Sequence, residues 1–222
     1  LATEIYGRPI NKTDDPTERF VGKTAVLGLG YGMGALKFQA TLEAGAMGPS
    51  MTFSTDEAYG VVNTYRNTYS NIPLLWKKLE LKLANTINET YEEEWHCLLF
   101  KNNKIYLPNG LALVYNNLRF ENNNLTYESR NTETTWGGRL AENVVQALSR
   151  IVITDAMLRI QRDTSLDADV VLTVHDEIVI ISPESDADAT MKALINHMCI
   201  APDWASDLPL DAEGGYDSCY SK

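Results

Sequence analysis

Residues 96–121 read HCLLFKNNKIYLPNGLALVYNNLRFE. Apolar positions alternate there in short runs: His96–Phe100, Lys104–Leu107, Leu111–Tyr115 and Leu118–Glu121. Asn102-Asn103, Asn109-Gly110 and Asn116-Asn117 separate them. Alternation with period two marks half-buried strands, and Asn-Asn or Asn-Gly pairs accept the left-handed backbone that tight hairpins need. The stretch therefore predicts consecutive hairpins. The Asn-rich 116–124 reads as a polar hairpin connection.

The pattern is helical upstream. Residues 3–7 predict a short helix ending at Gly7. Thr13, Asp14 and Asp15 before Pro16 form a helix start, since Pro suits an early helical position and short polar side chains cap it. A helix over 17–34 is expected next, then one over 35–45, with a break at 45–50. Ser54 or Thr55 can cap a helix from Asp56 to Tyr69, with Glu57 near N3 as in a capping box. Pro73 opens another, with Leu75, Trp76, Leu79, Leu83 and Ile87 on one face. Downstream, 138–161 returns to helical period. Asp169–Val174 and Ile178–Ile181 then predict two buried strands joined by His175-Asp176-Glu177. A helix over Glu184–Cys199 and a strand near Leu208–Asp211 end the chain. Strands cluster and do not alternate with helices, which predicts an α+β fold.

Composition narrows the function. The 222 residues suffice for a substantial core. Nineteen Lys and Arg stand against 30 Asp and Glu, a net charge of −11, so a simple basic nucleic-acid coat is excluded. No run of 18 apolar residues occurs, which predicts no membrane helix. The start, LATEIYGRPI, lacks the features of a signal peptide and an initiating Met; a fragment or processed product in the cytoplasm is expected. Cys97, Cys199 and Cys219 show no CxxC spacing, which points to a reducing compartment without structural zinc. The three histidines are too scattered to indicate a metal cage.

Three segments carry chemistry. On a helix over 17–34, Arg19, Lys23, Leu27 and Tyr31 stand four residues apart and form one stripe. Two cations suit a polyphosphate and the ring suits a base. The bland alternative is a solvated face with a core Tyr. Gly28, Gly30, Gly32 and Gly34 argue against it, because each interior helical Gly costs ~1 kcal/mol relative to Ala. Gly30, Gly32 and Ala35 also fit GxGxxA, with Asp56 about 20 residues on, as in a dinucleotide-binding oxidoreductase. The second segment is His175-Asp176-Glu177, a poor turn sequence that would hold a carboxylate outward, suited to Mg²⁺. The third is Trp136-Gly137-Gly138-Arg139, leading to Asn143, Gln146 and Arg150 on one helical face. That face can read phosphates and minor-groove acceptors, or be an ordinary exposed one.

In this order, RFVGKTAVLGLGYGMG, WGGRLAENVVQALSR and VHDEIVI resemble the C-terminal half of family A DNA polymerases, the polymerase I class, in its phage and prophage branch. The tail with Trp204, Leu208-Pro209-Leu210 and Ala212-Glu213-Gly214 is similar too. The resemblance implies helical fingers over 1–95 and, over 96–222, part of an antiparallel palm in a right-hand polymerase. It implies that Arg19 and Lys23 bind the dNTP triphosphate, with Lys23 also a general acid toward pyrophosphate. Tyr31 and Gly32 would lie near the templating base. Leu27 stands where the family usually has Phe or Tyr, at the sugar 3′ position. Arg139, Asn143 and Gln146 would contact primer-template DNA, and His175 the primer terminus. Asp176 would be a catalytic metal ligand with Glu177 its neighbour, in a reaction using two Mg²⁺. The family's second metal-binding Asp has no counterpart here. The chain is therefore expected to be inactive alone and to need the missing N-terminal part, from the same gene or a split partner. A non-catalytic remnant that binds DNA or a partner is the alternative; the retained Arg19, Lys23 and Asp176 speak against it.

Overall fold

In the computed structural model, residues 1–46 and 48–220 are described. Met47, inside the expected break, lies outside them. Among the described residues, five helices precede the first strand: α1 (Ala2–Tyr6), α2 (Pro16–Leu29), α3 (Ala35–Glu43), α4 (Thr55–Thr68) and α5 (Asn71–Asn85). Seven strands follow: β1 (Glu92–Trp95), β2 (Leu98–Lys101), β3 (Lys104–Tyr106), β4 (Ala112–Val114), β5 (Asn116–Glu121), β6 (Asn124–Glu128) and β7 (Thr132–Thr135). Then come the long helix α6 (Gly137–Arg162), strands β8 (Asp169–Val174) and β9 (Glu177–Ile181), and helix α7 (Ala187–Met198). Strands β1–β4 and β5–β7 form sheets in sequence order, and β8 pairs with β9. The pairings within β5–β7 and between β8 and β9 are antiparallel. The fold is α+β, as expected. No helix among these residues is long and apolar enough to cross a membrane.

The hairpin reading holds at the turns. Asn102-Asn103 joins β2 to β3 and Asn122-Asn123 joins β5 to β6, and all four residues have φ between 51° and 61°. Both central residues at positive φ is the twist-compatible two-residue hairpin turn. Besides the end of α2 and the burial of the β8–β9 hairpin, described below, four readings change. The expected strand His96–Phe100 loses its first two residues, because His96-Cys97 is the turn between β1 and β2. Strands β5–β7 occupy 116–135, where the Asn-rich segment is a strand as well as a turn; the polar TETT of β7 shows little apolar alternation to read. Helix α5 starts two residues before Pro73, whose missing N–H costs nothing in the first turn, and it stops short of Ile87. Residues 208–211 are irregular.

The chain divides into two compact units. One takes Leu1–Glu93, Phe100–Ile105 and Leu113–Val144; the other takes Glu94–Leu99, Tyr106–Ala112 and the residues from Val145 on. In the first, Val21, Ala25 and Leu29 of α2 pack with Phe38 and Leu42 of α3 and with Val61, Val62 and Tyr65 of α4. Each fully buried Val or Leu contributes roughly 1.5–3 kcal/mol. In the second, Ala156 and Ile160 of α6, Ile178 of β9 and Leu194 of α7 form the core. The β8–β9 hairpin was expected to be buried, but Val171, Leu172 and Ile181 are 51%, 46% and 65% exposed. The helices cover only one face of this two-stranded ribbon.

Candidate functional site

Helix α2 is set by its start. Pro16 occupies N1 and Asp15 is the N-cap residue. The Asp15 carboxylate accepts the Asn11 backbone N–H at 3.0 Å and the Arg8 guanidinium at 2.6 Å. These bonds, the Asn11 one first, hold its pKa below the ordinary value. With Val21, Gly22, Thr24, Ala25, Gly28 and Leu29 buried, Arg19, Lys23 and Leu27 are left exposed. Successive steps of four residues drift by only about 40° around the helix, so these three side chains form one accessible stripe.

The stripe does not continue to Tyr31. Helix α2 ends at Leu29, and Gly32 has φ +85°. The alternating glycines that make a long helix costly end this one. The dinucleotide-loop reading falls as well, since Ala25-Val26-Leu27 lies in a helix and not in the strand that loop requires.

The segment after α2 instead packs against the start of α6. The Trp76 indole N–H donates to the Gly30 carbonyl at 3.1 Å. A Cβ on Gly32 would meet the Trp136 Nε1 at 3.3 Å, and one on Gly138 would lie 2.6 Å from the Tyr31 carbonyl oxygen. A Cβ on Gly137 would lie 2.1 Å from the Trp76 carbonyl oxygen. The Gly137 N–H, one of the orphan donors of α6, is accepted by the Glu80 carboxylate at 2.8 Å. Two motifs a hundred residues apart therefore meet through bare backbone. Trp76 and Glu80 are the parts that sequence reasoning missed as site residues; a tryptophan on an otherwise aliphatic face, needing a partner for its N–H, was the available signal.

On α6, the Arg139 guanidinium donates to the Thr134 carbonyl at 2.7 Å and to the Glu133 carboxylate at 3.2 Å, and lies 6.0 Å from the Trp136 ring centre. The Asn143 amide donates to the Tyr115 hydroxyl at 3.2 Å. That hydroxyl's pKa is raised, chiefly by burial. Both side chains are half-buried and pre-oriented, while Gln146, one turn on, is exposed.

In the second unit, β8 and β9 are joined by His175-Asp176. His175 has φ +54°, a left-handed conformation that favours Gly or Asn. Strain of this kind costs of order 1–3 kcal/mol and concentrates at functional sites. His175 and Asp176 are exposed, and Glu177 is half-buried and accepts the Tyr220 hydroxyl at 3.2 Å. Among the described residues, no group of three or more His, Cys, Asp or Glu is placed to hold a metal ion. Asp176 and Glu177 by themselves are not a complete Mg²⁺ donor set.

Three comparisons bear on the chain. The family model described as DNA polymerase family A matches residues 1–222. A DNA polymerase of Bacillus phage SP02 is 28% identical over 241 residues, an alignment covering all of this chain and 35% of the phage protein. The polymerase domain of Pol1 from M. smegmatis, solved in complex with DNA primer-template and dNTP, is similar in fold with a TM-score of 0.62 at 19% identity; 95% of this chain and 31% of that one align. The chain thus spans about a third of the length of each relative.

Proposed function

Since the chain belongs to the family A DNA polymerases, as the match of that family's model over residues 1–222 shows, we propose that it is the fingers and part of the palm of a template-directed DNA polymerase. The fingers are residues 1–95 and the palm part 96–222. One observation carries this reading: Arg19, Lys23 and Leu27 form a single exposed stripe on α2, with the opposite face buried in the core. Two cations one turn apart can grip a triphosphate through charge-assisted hydrogen bonds. A remnant polymerase has no physical need for that stripe.

In this reading the primer 3′-hydroxyl gives up its proton to solvent and its oxygen forms a bond to the α-phosphorus of the dNTP as the bond to pyrophosphate breaks. Arg19 and Lys23 hold the triphosphate, and Lys23 gives a proton to the leaving pyrophosphate. Leu27 faces the sugar, and Tyr31 and Gly32 lie by the templating base. Arg139, Asn143 and Gln146 contact the primer-template, and His175 the primer end. Asp176, with Glu177 beside it, would be one ligand of the two Mg²⁺ ions, which when bound would stabilise the charge on the reacting phosphates. Because the donor set here is incomplete, the other protein ligands are proposed to come from further polypeptide of the polymerase.

The test is primer extension by a polymerase containing this chain together with the upstream polypeptide. Lys23→Ala or Arg19→Ala is expected to lower kcat/KM for dNTP by roughly 10- to 100-fold, the worth of a hydrogen bond to a charged group. Primer-template affinity should be unchanged. Unaltered kcat/KM in both variants would remove the triphosphate role.

A further inference from the structure

From Leu208 to Tyr220 the chain forms neither helix nor strand, yet side chains tie it down in sequence. A Cβ on Gly214 would lie 2.9 Å from the Met191 sulfur, so the backbone there rests directly on α7. The Tyr216 hydroxyl donates to the Asp188 carboxylate at 2.8 Å. Asp188 and Met191 stand three residues apart, on one stripe near the start of α7. The Tyr220 hydroxyl then donates to the Glu177 carboxylate at 3.2 Å. The tail is thus fastened first to α7 and then to the start of β9. Tyr216 and Tyr220 are 60% and 52% exposed, so burial does little to place them. Phenol donors aimed at carboxylates do more, because a charged acceptor strengthens the bond.

Glu177 is a telling place for that last fastening. It is the first residue of β9 and pairs with Val174, the last of β8. It therefore closes the His175-Asp176 turn. The left-handed backbone of His175 persists only where its surroundings over-determine it, and a two-stranded ribbon supplies little support by itself. A bond from outside the ribbon to the closing residue restrains the tip without covering it, and His175 and Asp176 stay exposed. Neighbouring carboxylates also repel when both face one point. Tyr220 draws Glu177 toward the tail and leaves Asp176 as the carboxylate presented at the turn.

We propose that Tyr220 is a positioning residue for nucleotidyl transfer: by bonding Glu177 it holds the His175-Asp176 turn in the conformation that the primer end meets. The assignment rests on the polymerase reading above. It gives the C-terminal tail a part in the reaction separate from that of the α2 stripe.

The first readout needs no catalysis. Tyr220→Phe keeps the ring and removes only the donor. In hydrogen–deuterium exchange on the full chain it is expected to speed exchange of the Val174–Ile178 amides by roughly 3- to 10-fold, the worth of one hydrogen bond. Glu177→Ala should do the same, and the double variant should add nothing further, as for two partners in one bond. Tm should stay at the parent value. The second readout is primer extension with the upstream polypeptide restored. There Tyr220→Phe should lower kcat by a similar factor, roughly 3- to 10-fold, with KM for dNTP unchanged because α2 is untouched. Parent-like exchange in Tyr220→Phe would overturn the proposal, and so would faster exchange with parent-like kcat. Exchange raised equally along β9 and α7 would make Tyr220 a general packing contact, and a raised KM at constant kcat would make it a nucleotide contact; either overturns it. Faster exchange confined to the turn, with no extension by the restored parent enzyme, upholds the brace and sinks the polymerase reading.

Discussion

A methyl group at Gly138 would sit 2.6 Å from the Tyr31 carbonyl oxygen, and that neighbour is backbone that cannot swing aside. Gly138→Ala is therefore expected to destabilise by about 1–3 kcal/mol, the range for overpacking a tight contact, and to lower Tm. Gly60 offers the opposite case. It lies exposed inside α4, with nothing within 4 Å of an added Cβ, so Gly60→Ala should raise stability by ~0.5–1 kcal/mol. Paired thermal melts check both signs; equal melts for the two variants would contradict the packing of Tyr31 on Gly138. Residue identity was largely legible here, since the Gly-Gly-Arg and Tyr-Gly pairs stand out in the sequence. What could not be read was why the glycines are needed. Each is required by a backbone that approaches from a distant part of the chain, and nothing in local periodicity encodes such a partner. The same limit hid Tyr31 itself, placed on the α2 stripe by spacing but carried off it by the helix end at Leu29.

Helix starts were the most legible elements, because capping chemistry is local. Ser54 accepts the Glu57 N–H while Glu57 accepts the Ser54 N–H, the reciprocal pair that the spacing predicts. Strands β6 and β7 were illegible because sheet pairing, and not side-chain pattern, defines them. The end of α6 supplies a prediction that sequence did not suggest. Just beyond it, Asp163 accepts the Ser165 hydroxyl at 2.6 Å and backbone N–H at 3.0 Å, and contacts the Nε2 of His197, in the last turn of α7, at 2.9 Å. The Ser165 hydroxyl, then His197, lower its pKa from 3.8 to about 2. A carboxylate with a depressed folded pKa contributes stability above its unfolded value, and loses it as pH falls through the folded one. Asp163→Asn should thus lower Tm at neutral pH, and the gap from the parent should close between about pH 4 and pH 2. A gap that stays constant down to pH 2 would show that the carboxylate's charge plays no part.

At the scale of the molecule, the strongest conflict between pattern and structure lies in the β8–β9 hairpin. DVVLTV followed by EIVII is the sequence of strands covered on both faces, yet Val171, Leu172 and Ile181 are exposed. A two-stranded ribbon is marginal by itself, and the turn at its tip holds His175 at φ +54°. The chain also aligns with only 35% of the phage polymerase. On the polymerase reading proposed above, the exposed apolar strand face and a donor set left incomplete at Asp176 would share one remedy, further polypeptide packed beside this hairpin. Two outcomes follow. The chain alone should bind a hydrophobic dye such as ANS, and the upstream polypeptide should suppress that signal on mixing or fusion. The same addition should confer Mg²⁺-dependent primer extension, which Asp176→Ala should reduce at least 100-fold, on the order of losing an electrostatic element that stabilises the transition state. The two readouts are independent, since Asp176 is exposed and its replacement should leave dye suppression intact. Dye suppression without extension would leave a remnant that assembles but does not catalyse. Extension by the chain alone, with Asp176→Ala equally active, would mean that the reacting phosphates are held elsewhere than at the β8–β9 turn.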